Sequence, residues 1–178
     1  MMGTLCCSTR INYLPVDETH LNLLASLDSD PEVMRFINGG KPTPLAHYRD
    51  NVLPRWEAIS QRASHLGFFI MEHQDDGRIL GWVHNRPFVN ADGEETGELE
   101  LGYRLFRCEW GQGFAKEAAG WVINNSRRVS QGETMVAIAM PDNLASIAVM
   151  RSVGMSKVEQ YLHQTGVEVV KYSCTLSD

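Results

Sequence analysis

Residues 98–120, ELELGYRLFRCEWGQGFAKEAAG, constrain this chain more than any other stretch. Alternation sets Leu99, Leu101, Tyr103 and Leu105 on one face of a strand, and Glu98, Glu100, Gly102 and Arg104 on the other. The strand is expected to end near Phe106. Trp110-Gly111-Gln112-Gly113-Phe114-Ala115 then runs straight into Lys116-Glu117-Ala118-Ala119, a good helix-forming run. Two glycines just before a helix leave its positive end open, with backbone N–H groups free to hold a phosphate without a lysine.

Several glycine-loop chemistries use that layout. A dinucleotide fingerprint G-x-G-x-x-G would need glycine at position 116, where Lys116 stands, and no G-x-x-x-x-G-K-[ST] string occurs. The pattern [Q/R]-x-x-G-x-[G/A] of pyrophosphate loops in coenzyme-A-dependent N-acetyltransferases fits at Gly113 and Ala115, with Trp110 in place of Gln or Arg. An ordinary strand-to-helix turn is the alternative at this point.

The 178 residues predict one domain, 1–178, with a self-sufficient core. With 43% hydrophobic and 21% charged residues, the chain is neither disordered nor of low complexity. A net charge of −6 argues against a nucleic-acid partner and fits a cationic substrate, although it equally serves solubility. No apolar run is long enough to span a membrane, and MMGTLCCSTR lacks the pattern of a secretion signal or of myristoylation. The spacing of Cys6, Cys7, Cys108 and Cys174 matches no zinc motif, and the six histidines form no ligand cluster, so no metal and free thiols in a cytoplasmic setting are expected. Each histidine is read as a surface or packing residue.

Along the chain, 9–15 reads as a first strand. Asp17 can cap a helix carrying Leu21, Leu24 and Ala25, and Asp30-Pro31 opens a second that Gly39-Gly40 stops. A longer helix is expected over 45–63, kinked or broken at Pro54. Strands 67–73 and 78–84 flank Asp75-Asp76-Gly77 as a hairpin, followed by a polar loop over 87–97. After the organising strand and a helix running to about Val129 come a strand at 134–140, a short helix from Leu144 closed by Gly154, and strands near 156–163 and 167–175. The expected class is α/β with a mixed sheet.

Ser29-Asp30-Pro31-Glu32-Val33-Met34-Arg35-Phe36, Glu100 to Leu105, Trp110 to Ala118, and Pro141-Asp142-Asn143-Leu144-Ala145-Ser146 with Val153-Gly154-Met155 stand in one order and spacing. Over residues 8–175 the chain resembles the GNAT superfamily of acetyl-CoA-dependent N-acetyltransferases, most closely its RimJ/RimL-type branch, in which Trp before the glycines is usual. The resemblance implies a mostly antiparallel six- or seven-stranded sheet flanked by helices, whose fourth and fifth strands splay apart around the pantetheine arm. It implies arm contacts from the strand edge at Tyr103, Arg104 and Leu105 and from Asn143. Pyrophosphate would lie on the backbone of Gly111, Gln112, Gly113, Phe114, Ala115 and Lys116. Gly102, a glycine inside a strand, would mark a bulge or a close approach of another backbone.

The implied reaction is direct acetyl transfer to a primary amine, either a protein N-terminus or a small molecule. An ammonium with a pKa near 10 leaves about one molecule in a thousand free at neutral pH, so a proton acceptor is needed. Glu100 is the candidate, directly or through a water, or else it orients the ammonium. A strand N–H near Tyr103 would hold the oxyanion. Ser146 is the candidate to hydrogen-bond the departing thiolate, with Tyr161 and Tyr172 as substitutes. Glu98, Glu100 and Arg104 paired across strands, and Ser146 bonded within its own helix turn, are the structural alternatives. The acceptor is expected between the Phe36–Tyr48 segment, the 87–97 loop with Asp92, Glu94 and Glu95, and the hairpin near His163 to Val167. A homodimer is implied by analogy. A non-catalytic acyl-CoA sensor and an interaction module on the same fold are the rival readings.

Overall fold

The computed structural model describes residues 6–129 and 131–177, without the side chain of Cys6. The readings that rest on Met2 and Gly3 lie outside these residues. Strands β1 (Cys6–Cys7), β2 (Ile11–Pro15), β3 (Gly67–His73), β4 (Ile79–Val89), β5 (Glu95–Leu105), β6 (Thr134–Ala139), β7 (Ser156–Leu162) and β8 (Glu168–Thr175) form one sheet. Its order is β1-β2-β3-β4-β5-β6-β8-β7. Every neighbouring pair is antiparallel except β5 and β6. Seven strands are substantial, and the two-residue β1 adds a short edge that no sequence pattern announced.

The helices lie on both faces. On one, α5 (Phe114–Arg127) and α6 (Leu144–Ser152) cover Leu101 and Leu105 of β5, Val83 of β4 and Met135 of β6. Phe114, Ala118, Ala119, Val122 and Ile123 form the helical side of that core, a stripe at helix spacing. On the other face, α1 (Leu21–Leu27), α2 (Pro31–Asn38) and a helical stretch from Leu45 to Ser60 pack over Phe68, Ile70 and Trp82. Trp56 stacks on Phe68 with ring centroids 3.9 Å apart.

Caps explain the helix limits. Asp17 accepts from Thr19 N–H and opens a 3-10 turn, Glu18–His20, ahead of α1. Asp30 accepts from Glu32 N–H with Pro31 in the first turn, and Gly39 ends α2 in the left-handed region at φ 76°. The helix expected over 45–63 is divided in three: α3 (Leu45–His47), a π-helical turn (Tyr48–Val52) and α4 (Leu53–Ser60). Pro54 cannot donate to the preceding turn, and the wider π turn absorbs the missing bond just before it.

The polar loop expected over 87–97 is largely strand. β4 continues to Val89 and β5 begins at Glu95, with Val89 opposite Glu95 after a register shift. Only 90–94 turn, closed by Asn90 Oδ1, which accepts from the N–H groups of Asp92 and Glu94. On the β5 side the extension, Glu95 to Gly97, is polar and exposed, and on the β4 side Pro87 interrupts the strand pattern although Phe88 beside it is buried.

A Cβ on Gly81 would stand 2.0 Å from the Arg104 carbonyl oxygen, at φ 145°. In α5, Gly120 has no neighbour within 4 Å of that position. Gly81→Ala should therefore lower unfolding free energy by about 3 kcal/mol or more. Gly120→Ala should raise it by about 0.5–1 kcal/mol. Urea unfolding midpoints of the two variants check both signs.

Candidate active site

β5 and β6 run parallel but stay in register for two pairs only, Leu99 with Met135 and Glu100 with Val136. β4 holds β5 along its other edge as far as Leu105, and β8 holds β6 as far as Ala139. Each strand is thus anchored from outside while the two part in the middle. The opening leads into a cavity of about 480 Å³ lined by Leu101 to Arg104, Ala137 to Met140, Asn143 and Ser146.

The loop after β5 lies at one end of this gap. Gly111 and Gly113 have φ of 72° and 82°, the left-handed region that favours glycine. Gly113 is also the N-cap of α5 and has no side chain to cap it. The first N–H groups of a 14-residue helix therefore remain open to an anion. The loop is fastened from a distant segment. Arg10 donates through Nη1 to the Gln112 carbonyl (3.0 Å) and through Nε to Glu117 (2.8 Å), with its guanidinium 4.3 Å above the Phe114 ring. Burial pushes the Glu117 carboxyl up, but hydrogen bonds from Ser8 and Arg10 outweigh it and hold the group below its ordinary value. Phe114 is buried, Ala115 is half-buried against the core, and Lys116 is exposed. The Leu105 carbonyl is already taken, accepting from Trp110 Nε1 at 3.1 Å.

Across the gap, Asn143 caps α6, its Oδ1 accepting from Ser146 N–H at 3.2 Å. Ser146 Oγ lies 3.0 Å from the Tyr103 hydroxyl of β5, so the two lips of the opening touch through this pair. Burial pushes the Tyr103 phenol up to about 12, and it stays protonated at neutral pH. Neither Tyr161 nor Tyr172 lines the cavity.

Glu100 points to the opposite face and is 6% exposed. It forms the cross-strand pair with Arg86, directly opposite in the ladder, which donates to Oε2 through Nε (2.9 Å) and Nη2 (2.7 Å). It also lines the cavity. Burial raises the Glu100 carboxyl above its ordinary value, and Arg86 opposes that shift. Glu98 is engaged by Lys171 at 2.8 Å. Arg104 sends its side chain away from the gap to Asp28 (2.6 Å), which also accepts from the Tyr48 hydroxyl (2.7 Å). Phe36, Tyr48, His163 and Val167 line the cavity as expected of an acceptor wall. The 87–97 segment does not, and Glu95 is paired with Arg62 on the surface.

His84 is the residue that sequence reasoning passed over. It is 5% exposed, lines the cavity, and lies opposite Gly102 in the ladder. A Cβ on Gly102 would stand 2.2 Å from His84 Nε2. Gly102 is thus neither a bulge nor a passage for another backbone: it makes room for an imidazole. A glycine at a strand position opposite a histidine was the only trace of this in the sequence.

Asp28 is 1% exposed and carries the charge that neutralises buried Arg104. Asp28→Ala should cost about 3–5 kcal/mol, because it strands a buried guanidinium. Asp28→Asn, which keeps the Tyr48 bond, should cost less. Guanidinium unfolding curves of both variants check the order.

Comparison with known proteins places this arrangement. A family model described as "Acetyltransferase (GNAT) domain" matches residues 10–156. The FsC-acetyl coenzyme A-N(2)-transacetylase of Aspergillus fumigatus is 27% identical over 179 residues, covering 94% of this chain and 74% of that protein. Among solved structures, a GNAT-family acetyltransferase from Bacillus anthracis superposes with a TM-score of 0.78 at 16% identity, covering 97% of this chain and 99% of that one. RimL, a ribosomal L7/L12 alpha-N-protein acetyltransferase in complex with coenzyme A, superposes with a TM-score of 0.76 at 18% identity, covering 96% of this chain and 96% of that one. With the family model spanning most of its length, this chain belongs to the GNAT acetyltransferases and is an acetyl-CoA-dependent acetyltransferase.

Proposed function

We propose that the protein transfers the acetyl group of acetyl-CoA directly to a primary amine, a protein N-terminus or a small molecule, within a single catalytic domain. The observation that carries this reading is the parting of β5 and β6 after two residue pairs, with an uncapped helix N-terminus at one end of the gap. An unpaired strand edge suits the amides of the pantetheine arm, and open N–H groups suit the pyrophosphate. Gly111 to Lys116 are assigned to the pyrophosphate. The Tyr103 and Arg104 backbone and the Asn143 amide are assigned to the arm. Leu105 takes a smaller part, because Trp110 already occupies its carbonyl.

In this reading Glu100 receives the first proton of the acceptor ammonium, directly or through a water. Its half-buried neighbour Arg86 keeps enough charge on the carboxylate to attract a cation. A Tyr103 backbone N–H would steady the oxyanion. Ser146, held against Tyr103, would hydrogen-bond the sulfur as it leaves. A thiolate is a good leaving group, so a hydroxyl suffices. RimJ/RimL-type acceptors, meaning protein N-termini, are the first class to test, because the likeness to RimL extends over almost the whole chain. The three described cysteines, Cys7, Cys108 and Cys174, are free thiols, which fits a reducing cytoplasm.

Calorimetric titration with acetyl-CoA, with NADH as control, tests the cofactor reading. Micromolar binding of acetyl-CoA alone is expected, and folded protein that binds neither would sink the proposal. Gly113→Asp adds bulk and negative charge at the assigned phosphate position and should lower acetyl-CoA affinity by about 100-fold or more. Glu100→Gln should leave that affinity within about twofold and lower turnover about 100-fold. In the wild type, turnover should fall as pH drops through the raised Glu100 value, because only the ionised carboxylate accepts a proton. Free-thiol release against a panel of N-terminal peptides and polyamines reads both, and full activity of Glu100→Gln would remove it as the base.

A further inference from the structure

We infer that His84 is a second proton acceptor in the acetyl-transfer site, taking through Nε2 the proton that the amine nitrogen loses once it has bonded to the thioester carbon. The inference rests on the transferase reading above and concerns a different proton from the one assigned to Glu100.

The geometry fixes the tautomer. His84 Nδ1 lies 3.1 Å from the Glu100 backbone carbonyl oxygen. A carbonyl only accepts, so Nδ1 carries the proton and donates it. Burial, and then the charge of Arg86, hold the imidazole well below its ordinary value, with Arg104 adding in the same direction. The ring is therefore neutral at pH 7, and Nε2 carries a lone pair. Among the described residues no protein donor meets Nε2, although the ring is packed between Phe68 (centroids 4.8 Å) and Trp82 (5.8 Å). Nε2 is not among the buried polar atoms left without a partner (Trp82 Nε1, Asn85 Oδ1, Arg104 Nε and Tyr161 Oη), so with no protein partner it is open to the cavity. It faces the cavity at Gly102, immediately before Tyr103, whose N–H is assigned to the oxyanion. Lone pair and oxyanion donor thus adjoin on the same stretch of β5.

Two protons must leave an ammonium that becomes an amide. The first goes before attack and frees the lone pair. The second goes after the C–N bond has formed and the carbonyl π pair has moved to oxygen, when the nitrogen is positive and acidic. A base of low pKa suits that second step, because it is empty at working pH and its partner is a strong acid. The carbonyl then reforms, the C–S bond breaks, and the sulfur leaves with the bonding pair and takes up a proton through Ser146. Glu100 and the imidazolium both return their protons through the cavity, so that of the two protons leaving the ammonium one ends on the thiol by way of Ser146 and one is released to solvent. The charged and titratable groups around His84 are Arg86 on its own strand, Glu100 and Arg104 on β5, Asp28 and Tyr48 behind Arg104, and His163 on the β7–β8 turn. Both arginines disfavour a resting imidazolium, which keeps Nε2 available.

Hydroxylamine isolates this step. It is small enough to need no acceptor subsite, and its amine is already free at neutral pH, so the first proton is gone. Thiol release from saturating acetyl-CoA would be measured with hydroxylamine for the wild type and His84→Gln. Glutamine keeps an N–H to offer the Glu100 carbonyl but has no basic nitrogen. Turnover should fall about 100-fold or more, with acetyl-CoA affinity by calorimetry within about twofold. Expressed per unprotonated hydroxylamine, the wild-type rate should decline in acid below the ordinary imidazole range, and that decline should vanish in the variant. Turnover of His84→Gln within about threefold of wild type, or wild type that binds acetyl-CoA yet does not accelerate thiol release, would overturn the inference. Failure of wild type to bind acetyl-CoA would instead overturn the transferase reading beneath it. Should His84→Gln not fold, long-range nitrogen–proton NMR of the intact protein at pH 7 decides: only Nδ1 protonated is expected, and a proton on Nε2 would refute the assignment.

Discussion

The parting of β5 from β6 is the constraint on which the rest of the molecule depends. A strand edge facing another strand without pairing leaves N–H and C=O groups unsatisfied, each worth about 1–3 kcal/mol when buried. Such an opening persists only if neither strand can move to close it. β4 grips β5 from the Gly81–Leu105 pair to the Val89–Glu95 pair, and β8 grips β6 over six consecutive residues. The helices reinforce both halves: α5 packs beneath Leu101 and Leu105, and α6 packs Ile147 and Met150 into the same core as Ala137 and Ala139. Trp110 removes one orphan by donating to Leu105, and the Tyr103–Ser146 contact spans the gap at a single point. The opening is therefore built into the sheet and does not wait for a ligand to pry it apart.

Charge is distributed with the same economy around the cavity. Asp28 and Arg104 neutralise one another, as do Glu100 and Arg86, so the walls carry buried charges without a large net field. Pairs of this kind seldom add much stability, because desolvation offsets attraction. What they do here is fix positions. Arg104 ties the end of α1 and the π turn at Tyr48 to the C-terminal end of β5, which sets the width of the cavity between helices and sheet.

Much of this was legible in the sequence, because it rests on local chemistry. The face assignment of β5 follows from period-two alternation, and the loop follows from two glycines before a helix-forming run. The caps at Asp17, Asp30 and Gly39 are residue preferences with a mechanism. What escaped depends on contacts between distant segments. Arg10 reaching Gln112 and Glu117 cannot be read from either stretch alone. The β4–β5 extension was hidden because β5 is polar and exposed at Glu95 to Gly97 and Pro87 breaks the strand pattern of β4 beside the buried Phe88. The π turn followed from Pro54, but the sequence offered a kink or a break and could not choose between them. Glu100 is an instance where two readings hold together, since it is both half of a cross-strand ion pair and a wall of the cavity.

Gly102 ties these levels together. At that position any side chain would collide with His84, so the glycine and the histidine form one device on two strands. A protein that merely binds acetyl-CoA needs the gap and the phosphate loop. It has no need to turn an imidazole nitrogen to the cavity beside the strand edge, at the expense of a strand position that could otherwise carry a packing side chain. Burying a neutral histidine with one nitrogen satisfied and the other turned to the cavity makes sense where a proton must be received at that point. The contrast between sensor and enzyme thus lies in the lone pair of His84 more than in the charge of Glu100, whose ion pair with Arg86 would serve either purpose.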